Sequence, residues 1–356
     1  MRAAIRGTGS YLPERVVDND EIEQRASDFD RARSGSSLDE WVRDRIGVTS
    51  RRWVAPGQGC TDMATRAARA ALDDAGLAGA DLELIVVSTF TDDHGLPQSV
   101  SLVQRDLGSE AKCIQLDAAC AGFLDGVAVA SGLMTTLGYR NALVVHSEVM
   151  SALENPDRFL MQAIFGDGAG AAVLQPAEHD EEGLHTIETF TDGTKADWVH
   201  AGGGLLSMPH DVEDLDAFYL MVDNQSVFPF AVEKMASSLR SVVERDGRAL
   251  DEVDWVIAHQ AGVNITRGVA EDVGIDPDRF LMTLDHTGNT SGATIPIALD
   301  HFNRLGTLAE GDYVVFPAVG AGMTWGAASC TWSSTAAGRA ARDARVERAS
   351  EPLTVP

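Results

Sequence analysis

The chain has 356 residues, of which 44% are hydrophobic and 23% are charged, a composition typical of soluble globular proteins. Its 28 basic and 54 acidic residues give a formal net charge of −26 at pH 7, which repels nucleic-acid phosphates and anionic membranes. We therefore expect neither nucleic-acid binding nor membrane docking, and the length allows two domains or one large duplicated domain.

The four cysteines, at positions 60, 113, 120 and 330, form no CxxC pair and no zinc-type spacing, which suits a reducing compartment. The histidines include no HExxH or similar pair, so we expect no metal site. The first residues lack the apolar core of a signal peptide, and we expect no run long enough to span a bilayer. Together these patterns favour a cytoplasmic protein.

Predicted strands and helices alternate along the first half of the chain. In chain order they are a strand and glycine turn at 3–13, a helix at 37–46 capped by Ser37, a helix at 61–75, a buried strand at 81–89, a polar loop at 91–97, a helix at 98–107, a strand at 141–147 and a glycine-spaced segment before a strand at 164–174. This alternation predicts an α/β fold.

Between these elements, residues 115–127 (QLDAACAGFLDGV) change from a strand pattern to a mostly apolar helix pattern, and Cys120 stands at the change. A thiol in the first turn of a helix lies at the positive end of the helix dipole, which favours the thiolate. Cys120 is therefore a candidate nucleophile. The alternative is an inert buried thiol, and this stretch alone does not decide between the two.

The second half repeats the order of the first. A helix at 230–245 and a strand at 250–259 follow the same sequence of amphipathic helix, short acidic turn and hydrophobic strand as residues 61–89. This indicates an internally duplicated α/β fold. The region from 178 to 217 is rich in Asp, Glu, His and Gly, as expected for a surface excursion, and the composition after residue 333 predicts a largely disordered tail.

Two further stretches carry polar side chains where the apolar pattern does not predict them. One is the strand at 255–259, which ends in His259, and the other is the glycine turn at 284–296, which contains Asn289 and precedes a helix. Taken singly, His259 could be a hydrogen-bonded core histidine and Asn289 a helix cap or turn residue.

Three motifs carry these polar residues in chain order, and five other motifs accompany them. The three are DAACAGF at 117–123, HQA at 259–261 and GNTS at 288–291; the others are GTGSYLP at 7–13, DEW at 39–41, RIG at 45–47, FGDGAGAAV at 165–173 and GMTWG at 322–326. In this order the motifs resemble the beta-ketoacyl-acyl carrier protein synthase III family, over residues 2–332.

The resemblance implies a thiolase-like fold, in which two duplicated βαβαβαββ halves pack as a five-layered αβαβα structure, usually as a homodimer. We place the N-terminal half, with the nucleophile, at 1–175 and a surface excursion at 176–217. The C-terminal half, with the histidine and asparagine, follows at 218–332, and the disordered tail at 333–356.

The resemblance also implies a reaction. Cys120 would take an acyl group from acyl-CoA, and the acyl group would then be condensed with a malonyl thioester, on acyl carrier protein or on CoA, that loses carbon dioxide. His259 and Asn289 would stabilise the enolate, and the backbone N–H groups of Cys120 and Ala321 would form an oxyanion hole, Ala321 standing where the family has glycine. Coenzyme A enters as a substrate, and no tightly bound cofactor is implied.

For coenzyme A, the resemblance places Trp41 on the adenine, Arg158 on the opposite side and Arg45 near the phosphates. A cation over an aromatic ring is a plausible adenine clamp, although Trp41 could instead simply pack its own helix. Phe228 and Leu96 are further candidate substrate contacts, and Leu96 belongs to the loop that should border the acyl pocket.

Several positions depart from the family pattern. Gly262 stands where the family has an asparagine that contacts pantetheine, and Asn264 stands where it has an arginine that contacts the carrier protein. Asn224 replaces a common glycine, and the loop at 91–97 carries unusual charge.

Two hypotheses about the function follow. The intact cysteine, histidine and asparagine favour a condensing enzyme of fatty-acid or polyketide starter synthesis. The altered carrier contacts favour an acyltransferase that passes the acyl group to an alcohol, amine or other acceptor without decarboxylation, with His259 as general base.

Overall fold

The computed structural model describes residues 2–201 and 218–350, and the side chains of 345–350 are not described. The strands are β1 (Ala3–Tyr11), β2 (Arg15–Asp18), β3 (Ser50–Trp53), β4 (Leu84–Ser88), β5 (Lys112–Leu116), β6 (Ala142–Glu148), β7 (Gly168–Pro176), β8 (Gly183–Thr191), β9 (Val199–Ala201), β10 (Leu220–Val222), β11 (Trp255–Val256), β12 (Tyr313–Gly320) and β13 (Thr324–Thr331). The α-helices are α1 (Asn19–Arg25), α2 (Arg31–Ser34), α3 (Leu38–Arg45), α4 (Cys60–Ala75), α5 (Ser99–Leu107), α6 (Gly122–Leu137), α7 (Phe159–Ile164), α8 (Asn224–Arg245), α9 (Val263–Val273), α10 (Leu284–Thr287), α11 (Thr294–Arg304) and α12 (Ala336–Ser350).

Two larger sheets organise the described chain. The first has the strand order β1-β7-β6-β4-β5, in which β4 is parallel to both β5 and β6 while β7 is antiparallel to β1 and β6. The second has the order β11-β12-β13-β8, in which β11 is parallel to β12 and the other pairs are antiparallel. Parallel strands need helical crossovers, which is why helices flank both sheets.

Helices form three layers around the two sheets. On β4, Leu84 and Val86 join the core cluster that contains α6 and α11, whereas Ile85 and Val87 join the cluster of α4 and α5 on the opposite face. The second sheet shares the α6 and α11 cluster on one face, and its other face packs against α8 and α9. The predicted five-layered αβαβα thiolase-like fold is thereby confirmed.

Two predictions for the regions outside the halves were wrong. The predicted surface excursion at 176–217 contains β8, an edge strand of the second sheet, while residues 202–217 of it lie outside the described chain. The predicted tail at 333–356 is helical over Ala336–Ser350, and residues 351–356 are not described.

Tertiary contacts explain the helix in the tail. Asp74 accepts a hydrogen bond from Ala337 N, Asn303 donates to Thr335 Oγ1, and the Arg342 guanidinium donates to Leu308 O. Alanine, arginine and glutamate are good helix formers, so anchoring of the first turns suffices to order the segment.

One helical stretch of the described chain, Ala119–Leu137, is long and apolar enough by composition to cross a membrane, so the prediction that no run reaches that length was wrong. This is weak evidence for a membrane span, because the core helix of a soluble protein has the same composition. Here Phe123, Leu124 and Val127 of the stretch belong to the core cluster between the two sheets.

Candidate active site

Cys120 lies in the 3-10 turn Ala119–Ala121, which joins the end of β5 to the first residue of α6. Ala119, just before it, has a φ of 44°, a left-handed conformation that is uncommon for a residue with a side chain. A strained backbone conformation persists only where the surrounding structure holds it in place, and such positions are frequent at functional sites.

Ser291 is the nearest hydrogen-bond partner of the thiol, and it was not singled out from the sequence. Its Oγ donates to Cys120 Sγ at 3.4 Å, and its own φ of 56° also lies in the left-handed region. Ser291 belongs to the C-terminal half, so this contact joins the two halves of the fold at the nucleophile. The sequence signal was the GNTS motif itself, which drew attention to Asn289 alone.

Asn289 lies two residues before Ser291, in the turn between α10 and α11. Its Oδ1 accepts a hydrogen bond of 2.8 Å from Ser291 N, which orients the amide so that its NH₂ group is the end left to act as a donor. Its backbone N donates to Ile164 O at 2.8 Å, and Gly166 N donates to its carbonyl, so the turn is fixed against the segment that leads into β7.

His259 follows β11, and its orientation is fixed by Thr294 at the start of α11. The Thr294 hydroxyl donates to Ser291 O at 2.9 Å, so its oxygen is the acceptor in the 2.9 Å contact with His259 Nδ1. His259 therefore carries its proton on Nδ1 when neutral, which leaves Nε2 as a proton acceptor. Gln260 Oε1 accepts from Leu284 N at 2.9 Å and ties the same segment to α10.

Burial keeps both Cys120 and His259 neutral. It raises the pKa of Cys120 to about 11, with the Ser291 hydrogen bond acting in the opposite direction and the Glu148 carboxylate adding to the rise. It also lowers the pKa of His259 to about 4, helped by nearby His146. The expectation from the sequence that the helix dipole favours a thiolate is therefore outweighed by desolvation. At rest, Cys120 is therefore a thiol and His259 a neutral imidazole.

Ala321, the predicted second oxyanion donor, follows the last residue of β12. A Cβ atom built on the preceding residue, Gly320, would lie 2.9 Å from both Cys120 N and Ala121 N. The end of β12 thus runs directly against the backbone amide of the nucleophile, and only glycine allows that approach.

A pocket of about 360 Å³ leads from the surface to Asn289. Trp41, Arg45 and Phe228 line it, as do Met161 and Phe165. The Arg45 guanidinium lies 5.0 Å from the centre of the Trp41 ring, so a cation over an aromatic ring is already formed at this wall.

Two predicted substrate contacts lie elsewhere on this chain. Arg158 is exposed at the residue before α7, and Leu96 is 88% exposed on its loop; neither lines the pocket. Arg158 does precede Phe159, whose ring packs edge-on against Trp41 with a centroid distance of 5.5 Å.

The departures from the family pattern have structural roles. Asp93 accepts hydrogen bonds from the backbone N–H groups of Cys60 and Thr61. This acidic side chain of the 91–97 loop therefore caps the N-terminus of α4. Asn264 lines the pocket and donates to Arg45 O at 2.8 Å, which ties α9 to the end of α3.

Comparison with known proteins agrees with this geometry. The family model of 3-oxoacyl-[acyl-carrier-protein] synthase III matches residues 114–193, and that of its C-terminal part matches 243–332, so the two matches contain Cys120 and both partner residues. Among curated proteins, beta-ketoacyl-[acyl-carrier-protein] synthase III 3 of Streptomyces coelicolor is 37% identical over 334 residues, 93% of this chain and 97% of that protein. The corresponding enzyme of Caldanaerobacter subterraneus is 35% identical over 338 residues, 94% of this chain and 98% of that protein.

Solved structures give the same result. The 3-oxoacyl-(acyl carrier protein) synthase III of Pseudomonas aeruginosa superimposes with a TM-score of 0.83 at 33% identity, covering 94% of this chain and 99% of that one. The priming beta-ketosynthase of the R1128 polyketide pathway gives a TM-score of 0.85 at 29% identity, covering 94% and 97%. The chain therefore belongs to the beta-ketoacyl-acyl carrier protein synthase III family.

Proposed function

We propose that this protein is an acyl-CoA-primed ketosynthase III, which condenses a Cys120-bound acyl group with a malonyl thioester. The observation that carries the proposal is a hydrogen-bonded set that includes Asn289, which lines the pocket: Ser291 contacts the Cys120 thiol, Asn289 holds Ser291, and Thr294 joins Ser291 to His259. A nucleophile, a proton acceptor and an amide donor are the groups that this chemistry requires.

In the first step, the sulfur of Cys120 attacks the thioester carbonyl of acyl-CoA. A bond forms from the carbonyl carbon to Cys120 Sγ, and the bond to the sulfur of coenzyme A breaks. Because both resting groups are neutral, the thiol proton moves to His259 Nε2 during the attack and passes to the leaving thiolate of coenzyme A. The N–H groups of Cys120 and Ala321 would donate to the oxyanion that forms.

In the second step, the malonyl thioester loses its carboxylate as carbon dioxide, and the electron pair of the broken bond forms an enolate. The Asn289 amide, and His259 Nε2 once it carries a proton, would donate to the enolate oxygen. The enolate carbon attacks the acyl carbon on Cys120, and the bond from that carbon to Sγ breaks. The sulfur then takes up a proton that His259 has received from solvent, which balances the negative charge that the malonyl carboxylate brought. The product is a beta-ketoacyl thioester.

Trp41 and Arg45 are the residues we propose for the adenine and the phosphates of coenzyme A, supported by their positions on the pocket wall. Phe228 lies on the same wall and would contact the pantetheine arm. Arg158 remains a proposed second contact to the adenine. Leu96 remains a proposed substrate contact, on the loop that would border the acyl pocket.

The malonyl donor is either malonyl-acyl carrier protein or malonyl-CoA, and the step would start a fatty acid or a polyketide. Similarity to a curated beta-ketoacyl-[acyl-carrier-protein] synthase III and to a polyketide priming ketosynthase supports both pathways. We place the reaction in the cytoplasm, because the free cysteines suit a reducing compartment.

Intact-protein mass spectrometry tests the first step. Incubation with a panel of acyl-CoA thioesters should add one acyl mass to the wild type and none to Cys120→Ala. Equal labelling of both proteins would remove Cys120 from the mechanism.

Carbon dioxide release tests the second step. The acylated enzyme is given malonyl-acyl carrier protein or malonyl-CoA, and carbon dioxide and a beta-ketoacyl thioester should appear with one of them. An acyl enzyme that gives carbon dioxide with neither donor, but transfers its acyl group to an alcohol or amine, would establish the acyltransferase instead.

A further inference from the structure

Two titratable side chains lie beneath the nucleophile and have no part in the steps above. His146 and Glu148 are two residues apart on β6, so they point to the same face of a strand at the centre of the first sheet. Both are 0% exposed, and His146 Nε2 lies 3.1 Å from Glu148 Oε1. Buried charged groups are expensive unless paired, so such a pair calls for an explanation.

The ring of His146 touches both backbone segments that hold the reacting thiol. A Cβ atom at Gly122, two residues after Cys120, would lie 2.8 Å from His146 Cε1. A Cβ atom at Gly292, next to Ser291, would lie 2.4 Å from the same atom. The two glycines thus let both segments pack directly against the imidazole.

Glu148 in turn fixes the ring and the loop after β4. Its carboxylate accepts hydrogen bonds from Thr89 Oγ1 at 3.2 Å, from Phe90 N at 3.2 Å and from Thr91 Oγ1. Within the described residues, no aligned hydrogen bond reaches either ring nitrogen of His146. The 3.1 Å contact between Nε2 and Glu148 Oε1 is therefore the polar contact through which Glu148 fixes the position of the imidazole.

The pair is also electrostatically coupled to the active site. Glu148 contributes to the raised pKa of Cys120, and His146 contributes to the lowered pKa of His259. Two further groups sense the pair: His146 opposes the burial that raises the pKa of Asp117, directly after β5, and Glu148 adds to the raised pKa of Cys60.

We propose that His146 is a positioning residue for Cys120: oriented by Glu148, its ring sets the separation of the Cys120 turn and the Ser291 turn, and the pair sets the local field at the sulfur. The inference rests on the proposed role of Cys120 as the acylated nucleophile. In this arrangement the imidazole acts through the two glycine contacts and never touches the substrate.

Three variants test the inference. His146→Ala should slow single-turnover acylation by acyl-CoA by about 10- to 100-fold, since a misplacement of about 1 Å has effects of that size. The KM for acyl-CoA should stay within about twofold, because the pocket wall is untouched, and His146→Gln should restore part of the rate. Glu148→Gln should shift the pH midpoint of Cys120 alkylation by iodoacetamide downward, because it removes a negative charge near the sulfur.

His185→Gln is the matched control, because this histidine bonds Thr331 in the second sheet, and it should leave both the rate and the alkylation profile unchanged. Wild-type acylation rates and alkylation profiles in His146→Ala and Glu148→Gln would overturn the inference. If His146→Ala fails to fold, the isosteric variant Glu148→Gln tests the inference by itself, through its acylation rate and its pH profile of alkylation. If the wild type itself takes no acyl group on Cys120, the proposed function fails instead.

Discussion

Replacement of Gly320 by alanine is a direct test of how closely the second half must approach the nucleophile. The new Cβ would lie 2.9 Å from Cys120 N and from Ala121 N, whereas ordinary contacts begin near 3.4 Å. Both neighbours are backbone atoms that no rotamer change can move, so roughly half an ångström must be taken up by the turn itself. The proposed oxyanion donor, Cys120 N–H, would then be both displaced and partly covered.

We expect Gly320→Ala to slow acylation of Cys120 by at least about tenfold and by up to roughly 1000-fold. The lower figure corresponds to misplacement of the sulfur and the upper one to loss of an oxyanion donor. The KM for acyl-CoA should change little, because Gly320 does not line the pocket. The assay is rapid-quench acylation followed by intact-protein mass spectrometry.

Gly132→Ala provides the matched control within α6. Its Cβ would meet nothing within 4 Å, so the helix should gain about 0.5–1 kcal/mol of stability and acylation should proceed at the wild-type rate. Thermal unfolding of both variants separates a lost fold from a lost donor. A folded Gly320→Ala enzyme that acylates as fast as the wild type would refute the close approach of β12 to the nucleophile as a catalytic requirement.

The remaining predictions concern ionisation and coenzyme A. With a thiol pKa of about 11, roughly one Cys120 in ten thousand is ionised at pH 7, so alkylation by iodoacetamide should accelerate about tenfold per pH unit from pH 7 to 10; a plateau near pH 7 would contradict this. His259, with a pKa of about 4, should accept the thiol proton throughout this range, and the acylation rate should fall only below about pH 5. Trp41→Ala should raise the KM for acyl-CoA with little change in kcat. Arg45→Ala should raise it more than Arg158→Ala, because Arg45 lines the pocket and Arg158 does not; an unchanged KM in Arg158→Ala would remove Arg158 from the adenine site.

The fold could be predicted because both halves show the same order of local sequence patterns. The order of amphipathic helix, acidic turn and hydrophobic strand recurs in both halves, and Leu84–Ser88 alternates between two helical layers as a buried strand should. The prediction of a disordered tail was wrong because it used composition alone. A segment of that composition can still be helical when contacts with the folded protein hold its first turn. Here Asp74 and Thr335 anchor the first turn of α12.

The site was predictable only at the residues whose type is unusual in its local pattern. Cys120, His259 and Asn289 interrupt apolar or glycine-rich runs, and motif order joined them. Ser291 and Thr294 are ordinary turn and helix-start residues. The GNTS motif contains Ser291 but drew attention to Asn289, and no local pattern marks Thr294. Their importance comes from tertiary contacts between the two halves. For the same reason, the sequence pattern places His146 in the strand predicted at 141–147 and gives it no role of its own.

Thr294 shows how one hydroxyl couples the two reacting groups. A hydroxyl has a single proton, and that of Thr294 is donated to Ser291 O, so its oxygen can only accept from His259 Nδ1. The same contact therefore fixes the tautomer of the base and the position of the residue that donates to the Cys120 thiol. Thr294 is the first residue of α11, a helix of the C-terminal half that packs against the first sheet, so the residue that orients the proton acceptor is held against the half that carries the nucleophile. Neither half alone could hold the thiol and its base in this relation, which gives the duplicated architecture a chemical reason at this site.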